Sequence, residues 1–318
     1  MLDVLAITGP IYLAIALGFA TTRAGLFSKA DMQVFGRFVI NLALPALLFR
    51  ALSTRPIGEI FNLSFLLAYA IGSLALLASS FLWARRLRGM GHEAATFHAM
   101  GMTCSNSGFV GYPILLLTFA PVAGVALALC MVVENLLLIP LLLTLAERGR
   151  GEAGPWHRVA GQLLLRLTRN PLVIAIAAGM AISLVAFRMP APVAKAVDLF
   201  AMASGATSLF AIGGTLVGLA LKGLGRRVAP IVVGKLLLHP LAVVAALVLL
   251  SAVGLPPMDA PLRTAAVLMA AMPMMGIYPI LAQAYGQEDF AAPAMLVATV
   301  TSFFTLSGLL WVLQRTPG

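Results

Sequence analysis

The residues best suited to chemistry in this sequence lie in two short stretches where glycine and proline interrupt apolar runs. The first is Cys104-Ser105-Asn106-Ser107-Gly108-Phe109-Val110-Gly111-Tyr112-Pro113. The second is Met272-Pro273-Met274-Met275-Gly276-Ile277-Tyr278-Pro279. Proline removes a backbone donor and clashes with the preceding turn, and glycine loosens the same backbone, so each stretch is expected to break a helix or to kink it. A break exposes N–H groups at the start of the following half-helix and carbonyls at the end of the preceding one. With half-helices beginning near Pro113 and Pro279, the N–H ends suit a carboxylate. The carbonyl ends, at Ser105 and Met272, suit a cation or a hydroxyl. The first stretch is polar (Ser105, Asn106, Ser107) and the second apolar (Met272, Met274, Met275). Together they suit a small organic anion, with Gly111, Tyr112, Pro113, Pro273, Tyr278 and Pro279 completing the binding surface.

Other polar residues also fall within apolar runs. Glu134, flanked by Asn135 and Pro140, is either a proton-coupling group or a neutral hydrogen bond between helices. Lys235 and His239, four apart, share a helical face; Lys235 either attracts substrate or snorkels to the nearby membrane edge. His98 reads as a structural histidine. Asn41 precedes Pro45, and Thr207 with Ser208 lies in the glycine-rich stretch 204–214, which reads as a cavity wall or as close helix packing. A membrane enzyme would need a nucleophile–base pair or metal ligands at one depth. The four histidines (His92, His98, His157, His239) are scattered and no Gly-x-Ser-Gly occurs, so neither catalysis nor a resident metal or cofactor is expected.

The elements that must position these groups follow from composition. Of 318 residues, 61% are hydrophobic and 10% charged, against roughly 25% charged in a soluble domain, and the mean hydropathy is +1.01. An ordinary soluble enzyme, a disordered chain and a nucleic-acid-binding domain are thereby excluded. Cys104 and Cys130, both in apolar runs, imply no disulfide framework. Ten apolar runs approach the length of about 20 residues that a bilayer-spanning helix needs: 4–22, 32–52, 62–84, 95–119, 122–145, 170–188, 192–221, 229–253, 263–284 and 290–313. The first follows Asp3 without a basic segment and reads as a retained helix. Of the 21 Lys and Arg, 13 fall in alternate loops around 23–31, 85–93, 146–169 and 222–228 and 6 in the opposite set, while Arg37 and Lys235 lie within runs. The positive-inside rule places the richer set in the cytoplasm and both termini outside. Topology therefore accounts for most of the net charge of +10.

Tyr112-Pro113-Ile114-Leu115 recurs 166 residues later as Tyr278-Pro279-Ile280-Leu281. Shifting the first five runs by 166 lands on the second five within a few residues. The expected organisation is a five-helix repeat over 1–147, a basic cytoplasmic linker over 148–166 and a second, inverted repeat over 167–318. An odd number of crossings per copy forces the inversion, a signature of secondary transporters with a midplane site.

Asn41-Leu42-Ala43-Leu44-Pro45-Ala46-Leu47-Leu48-Phe49, the Asn106…Pro113 break, Ser208-Leu209-Phe210-Ala211-Ile212-Gly213, Lys235-Leu236-Leu237-Leu238-His239-Pro240 and the Pro273…Pro279 break together resemble the auxin efflux carrier family. The likeness runs over nearly the whole chain. It implies an all-α membrane protein with ten helices in a 5+5 inverted repeat, in which broken helices four and nine cross, as in sodium/bile-acid-type transporters. It implies that Asn106, Pro113 and Pro279 line the substrate site, and that a bundle of spans 3–5 and 8–10 shifts against a scaffold of spans 1, 2, 6 and 7. Met272 stands where Asn106 would have its counterpart, and the short linker departs from the plant members, which points to the bacterial malonate and organic-acid permeases. The expected function is proton-coupled transport of a small carboxylate across the bacterial inner membrane, with a homodimer among the expected partners. The alternatives are an uncoupled anion channel and a sodium-coupled symporter.

Overall fold

Apolar side chains that cannot be hidden from water within one helix can face lipid instead, and the chain is accordingly all-helical over the residues described. The computed structural model describes residues 2–150, 161, 165, 168–218 and 225–313. Most of the expected 148–166 linker, with Arg158 and Arg166, lies outside these residues, as does Lys222. Apart from the single turn Ile57–Ile60, the described helices are α1 (Leu2–Arg23), α2 (Lys29–Ser53), α3 (Leu63–Arg86), α4 (His92–Thr103), α5 (Ser107–Thr118), α6 (Ala120–Gly149), α7 (Pro171–Leu184), α8 (Ala191–Thr215), α9 (Arg227–Ala252), α10 (Ala260–Ala271), α11 (Tyr278–Gln283) and α12 (Glu288–Leu313). Among the described residues α2, α3, α6, α8, α9 and α12 are long and apolar enough to cross a membrane, and α5, α7 and α10 are shorter apolar helices.

Four helices share one distortion with one cause. A π-helical turn occupies Val39–Ala43, Ser107–Gly111, Glu134–Leu138 and Gly234–Leu238. Each ends one residue before an X-Pro pair: Leu44-Pro45, Tyr112-Pro113, Ile139-Pro140 and His239-Pro240. The proline ring cannot donate and collides with the carbonyl four residues back, so the helix widens by one residue instead of ending. Leu44, Ile139 and His239 accordingly donate to the carbonyls five residues back, at Val39, Glu134 and Gly234.

The chain forms two compact units. The first holds residues 1–63, 107–131 and 168–218. Here α1 and α8 approach backbone to backbone, because a Cβ on Gly18 or Gly213 would run into the carbonyl of Phe210 or Ile15. A Ser28–Asp31 capping box starts α2. Phe27, Phe35 and Phe210 meet edge to face at centroid distances of 5.4–5.7 Å. Residues 107–131 were expected with spans 3–5 but belong here. Ser208 of α8 holds α5 by its backbone, Gly108 stands against Leu44, and Arg55 donates to the Pro121 carbonyl.

The second unit holds residues 64–106, 132–167 and 219–318. Its helices α3 and α9 are close-packed, since a Cβ on Gly72 would stand 2.8 Å from the Cα of Val243, and Ala68, Ala246 and Leu250 form a buried cluster beside them. At the end of α6, Arg150 donates to the Ala284 carbonyl (2.7 Å), stacks 4.2 Å over the Tyr285 ring and lies 3.6 Å from Glu93. Arg150 thereby fastens α6 to α4 and to the residues after α11.

Candidate functional site

Within the second unit the chain leaves the helix in the middle of two of the expected spans. After α4, Cys104 is extended (φ −89°, ψ 115°) and α5 does not begin until Ser107. After α10, Met272 is extended (φ −63°, ψ 153°), the conformation imposed on a residue before proline. The two extended pieces pair as a single antiparallel bridge between Ser105 and Met274. Asn106 N–H donates to Pro273 O (2.8 Å) and Met275 N–H to Cys104 O (3.1 Å). Each break thus supplies the hydrogen bonds that the other's backbone lost, which lets non-helical backbone persist away from water.

The carbonyl end of α10 is closed by a side chain. Lys235, fully buried, donates to Ala270 O (2.6 Å), to Ser105 Oγ (2.8 Å) and to His239 Nδ1 (2.8 Å). Three ammonium protons fit three acceptors, which makes Nδ1 of His239 an acceptor and Nε2 the protonated nitrogen. That nitrogen lies 2.8 Å from Ser73 Oγ. From Ser105 the chain of contacts continues to Tyr69 Oη (3.1 Å) and on to Glu134 Oε1 (2.9 Å). Every side chain in this network is at most 4% exposed. Its charges are one cation and one carboxylate, linked through two hydroxyls, so the centre is net neutral when both are ionised. The π-helical turns of α6 and α9 carry Glu134 and Lys235.

The sequence-expected residues are therefore distributed as follows. Ser105, Asn106, Glu134, Lys235, Met272 and Pro273 are assembled around the paired breaks of the second unit. Lys235 does not snorkel, and the cation suited to the carbonyl ends is supplied by the protein itself. Tyr278 opens α11, but its N–H donates to Met275 O (3.0 Å) and its hydroxyl to Phe97 O (3.0 Å), so both are committed to structure rather than to an anion. Pro279 follows it, half-buried, and buried His98 packs against the rings of Trp83 and Phe290.

The remaining expected residues lie in the first unit. The half-helix expected near Pro113 begins at Ser107, because Pro113 widens α5 rather than starting it. Gly111, Tyr112 and Pro113 are thus buried within α5, and the N–H of Tyr112 belongs to the helix. Pro113 has no N–H to give to Phe109 O, and the Ser208 hydroxyl lies 3.0 Å from that carbonyl while also reaching Gly205 O (2.8 Å). Thr207 is half-buried, and Asn41 is exposed with its amide donating to Arg37 O (2.8 Å).

Sequence reading missed Tyr69 and Ser73. The signal was present: they lie 166 residues before Lys235 and His239, the offset of the repeated Tyr-Pro-Ile-Leu, and Ser73 meets its own counterpart.

An apolar all-helical chain with a buried polar centre at paired helix breaks is that of a multi-pass membrane protein. The chain belongs to the membrane transport protein family, whose sequence model matches residues 5–311, and its relatives place it with the auxin efflux carriers. It is 28% identical over 315 residues to a Rhizobium meliloti (strain 1021) protein named "Putative malonate transporter", covering 99% of this chain and 97% of that one. It is 30% identical over 149 residues to auxin efflux carrier component 2 of Arabidopsis thaliana (46% of this chain, 23% of the relative). Over 213 residues it is 25% identical to the uncharacterized transporter YfdV of Escherichia coli (strain K12), covering 65% and 67% of the two chains. These are membrane transporters, and the chain is a transporter rather than an enzyme.

Proposed function

We propose that the chain is a secondary active transporter that moves a small organic anion, a mono- or dicarboxylate of the malonate type, across the bacterial inner membrane. Transport proceeds by alternating access of the elevator kind with a proton as coupling ion. The ten spans form a 5+5 inverted repeat with both termini outside, and helices four and nine, broken at 104–106 and 272–277, cross near the midplane. Asn106 and Ser105 bind the carboxylate, Met272 and Pro273 contact its apolar part, and Glu134 carries the proton.

The observation that carries this reading is the cost of the paired breaks. Removing backbone from two helices and burying an ammonium and a carboxylate is expensive in a bilayer, and intramembrane ionisable groups mark solute paths. The 166-residue spacing of Tyr69 from Lys235 and of Ser73 from His239 supports the repeat. The printed name of the Rhizobium relative supports malonate as the first substrate to try. One proton crossing 100 mV supplies about 2.3 kcal/mol for accumulation.

The test is labelled malonate flux into liposomes containing the purified protein. Saturable uptake, stimulated by malonate on the far side and driven by an inward proton gradient, is expected. Asn106→Ala is expected to weaken malonate binding by about 1–3 kcal/mol, the cost of a lost buried partner. Flux linear in driving force without stimulation from the far side identifies a pore and overturns the carrier mechanism.

A further inference from the structure

The network contains two hydroxyls in series between a carboxylate and an ammonium, and each hydroxyl has only one proton to give. With Glu134 ionised, Tyr69 must donate to Glu134 Oε1 (2.9 Å), because a carboxylate only accepts. Tyr69 Oη is then an acceptor toward Ser105 Oγ (3.1 Å), and Ser105 spends its proton there while accepting from Lys235 (2.8 Å). Every donor points toward Glu134, so Ser105 offers nothing to an anion at the break beside Asn106.

Adding one proton to Glu134 reverses the chain. The carboxylic acid donates to Tyr69 Oη, Tyr69 donates to Ser105 Oγ, and Ser105 accepts from both Tyr69 and Lys235. Its own O–H is released to a new acceptor. No heavy atom has to move, and the only proton gained is the one on Glu134. We infer that Ser105 is a switched donor to the transported carboxylate, turned on by protonation of Glu134 and read through Tyr69.

Protonation and anion binding then favour each other, and the coupling is reciprocal. This inference rests on the carboxylate reading above and adds the residues through which proton and substrate communicate. The titratable and charged groups around Glu134 are Tyr69 on α3, Cys104 at the first break, and Lys235 with His239 on α9. On α4, His92 and Glu93 meet the other end of α6, at Gly149 and Arg150, and His98 packs against Trp83 and Phe290. Lys235 keeps its three acceptors in both states, so it serves as the fixed end of the chain, and Glu134 as the end that changes.

The experiment is calorimetric titration of the purified, detergent-solubilised protein with malonate, succinate and acetate across pH, with Glu134→Gln, Tyr69→Phe and Ser105→Ala in parallel. Titration of the ligands themselves is common to all variants and cancels in the comparison. Wild-type affinity is expected to rise as pH falls, by up to about tenfold per unit for one linked proton. Glu134→Gln carries no charge at any pH, and its amide can donate to Tyr69 or accept from it, so binding is expected to be independent of pH. Tyr69→Phe cuts the chain and is expected to lose the pH dependence although Glu134 remains. Ser105→Ala is expected to bind weakly and independently of pH, and it carries the comparison should Tyr69→Phe fail to fold. Wild-type pH dependence persisting in Tyr69→Phe or in Ser105→Ala overturns the switch and leaves the carboxylate reading standing. Binding by the wild type that does not change with pH does the same. Failure of all three anions to bind the wild type overturns both.

Discussion

Replacing Lys235 by methionine keeps an unbranched side chain, one atom shorter, and deletes its charge, and its effect on stability can be worked from the contacts. Three bonds end on the ammonium, at Ala270 O, Ser105 Oγ and His239 Nδ1. Part of that loss is recoverable: His239 Nδ1 lies 3.1 Å from Ala270 O and can donate there if its ring proton moves from Nε2. Ser105 loses a donor, and Glu134 loses the ammonium at the far end of its hydroxyl chain. Removing one member of a buried pair costs about 3–5 kcal/mol. The links of 2.8, 3.1 and 2.9 Å place the two charges no more than about 9 Å apart, worth about 2 kcal/mol at an effective dielectric constant of roughly 20. Adding Glu134→Gln to Lys235→Met removes the stranded charge and is therefore expected to restore about 2 kcal/mol. Thermal unfolding of the two single variants and the double variant in the same detergent measures this, at about 2 °C per kcal/mol for a chain of this size. A double variant whose loss equals the sum of the single losses, within about 0.5 kcal/mol, refutes the claim that the charges sense one another.

Two further substitutions probe the units separately. Gly72→Val places atoms where the Val243 backbone stands and should lower stability by about 1–3 kcal/mol, read as a depressed Tm, with Gly72→Ala falling between it and the wild type. Arg50→Gln deletes a 3.3 Å ion pair with Asp198 whose side chains are 38% and 50% exposed. Water screens such a pair, so the unfolding midpoint should change by less than the equivalent of about 1 kcal/mol.

Composition and apolar runs made the all-helical membrane class legible, and the resemblance led to the family that residues 5–311 match. The limits of the sequence show best at its prolines. Pro113 and Pro273 both lie in glycine-containing polar or sulfur-rich stretches, yet Pro273 ends a helix and Pro113 widens one. Nothing local separates the two: the Phe109 carbonyl that Pro113 cannot serve meets the hydroxyl of Ser208, 99 residues on, while the extended backbone at Met272 is followed by pairing with the other break. A donor that far along the chain leaves no local trace. Lys235 posed a similar ambiguity: near the start of its apolar run it reads as able to snorkel, and the acceptors on Ala270, Ser105 and His239 draw it inward. Tyr69 and Ser73 were accessible through the 166-residue offset. They went unnoticed because a tyrosine and a serine in an apolar helix do not stand out until their counterparts are known to matter.

The direction of the hydrogen bonds also limits how the centre can meet an anion. Lys235 is the obvious electrostatic partner for a carboxylate, but its three N–H bonds already have acceptors. Taking one for substrate would orphan the carbonyl end of α10, the paired hydroxyl or the histidine, each at about 1–3 kcal/mol. The backbone N–H groups of Asn106 and Met275 are likewise committed, each to the opposite break. On the proposed reading, an arriving carboxylate finds its donors among side chains at the break, and the hydroxyl of Ser105 is one that is linked through Tyr69 to Glu134. A transporter that must hold its solute on one side and release it on the other gains more from a donor that can be withdrawn than from a permanent cation. In the proposed mechanism the centre provides both: Lys235 bonds to Ser105 at one break and to Ala270 beside the other, and the serine responds to the proton.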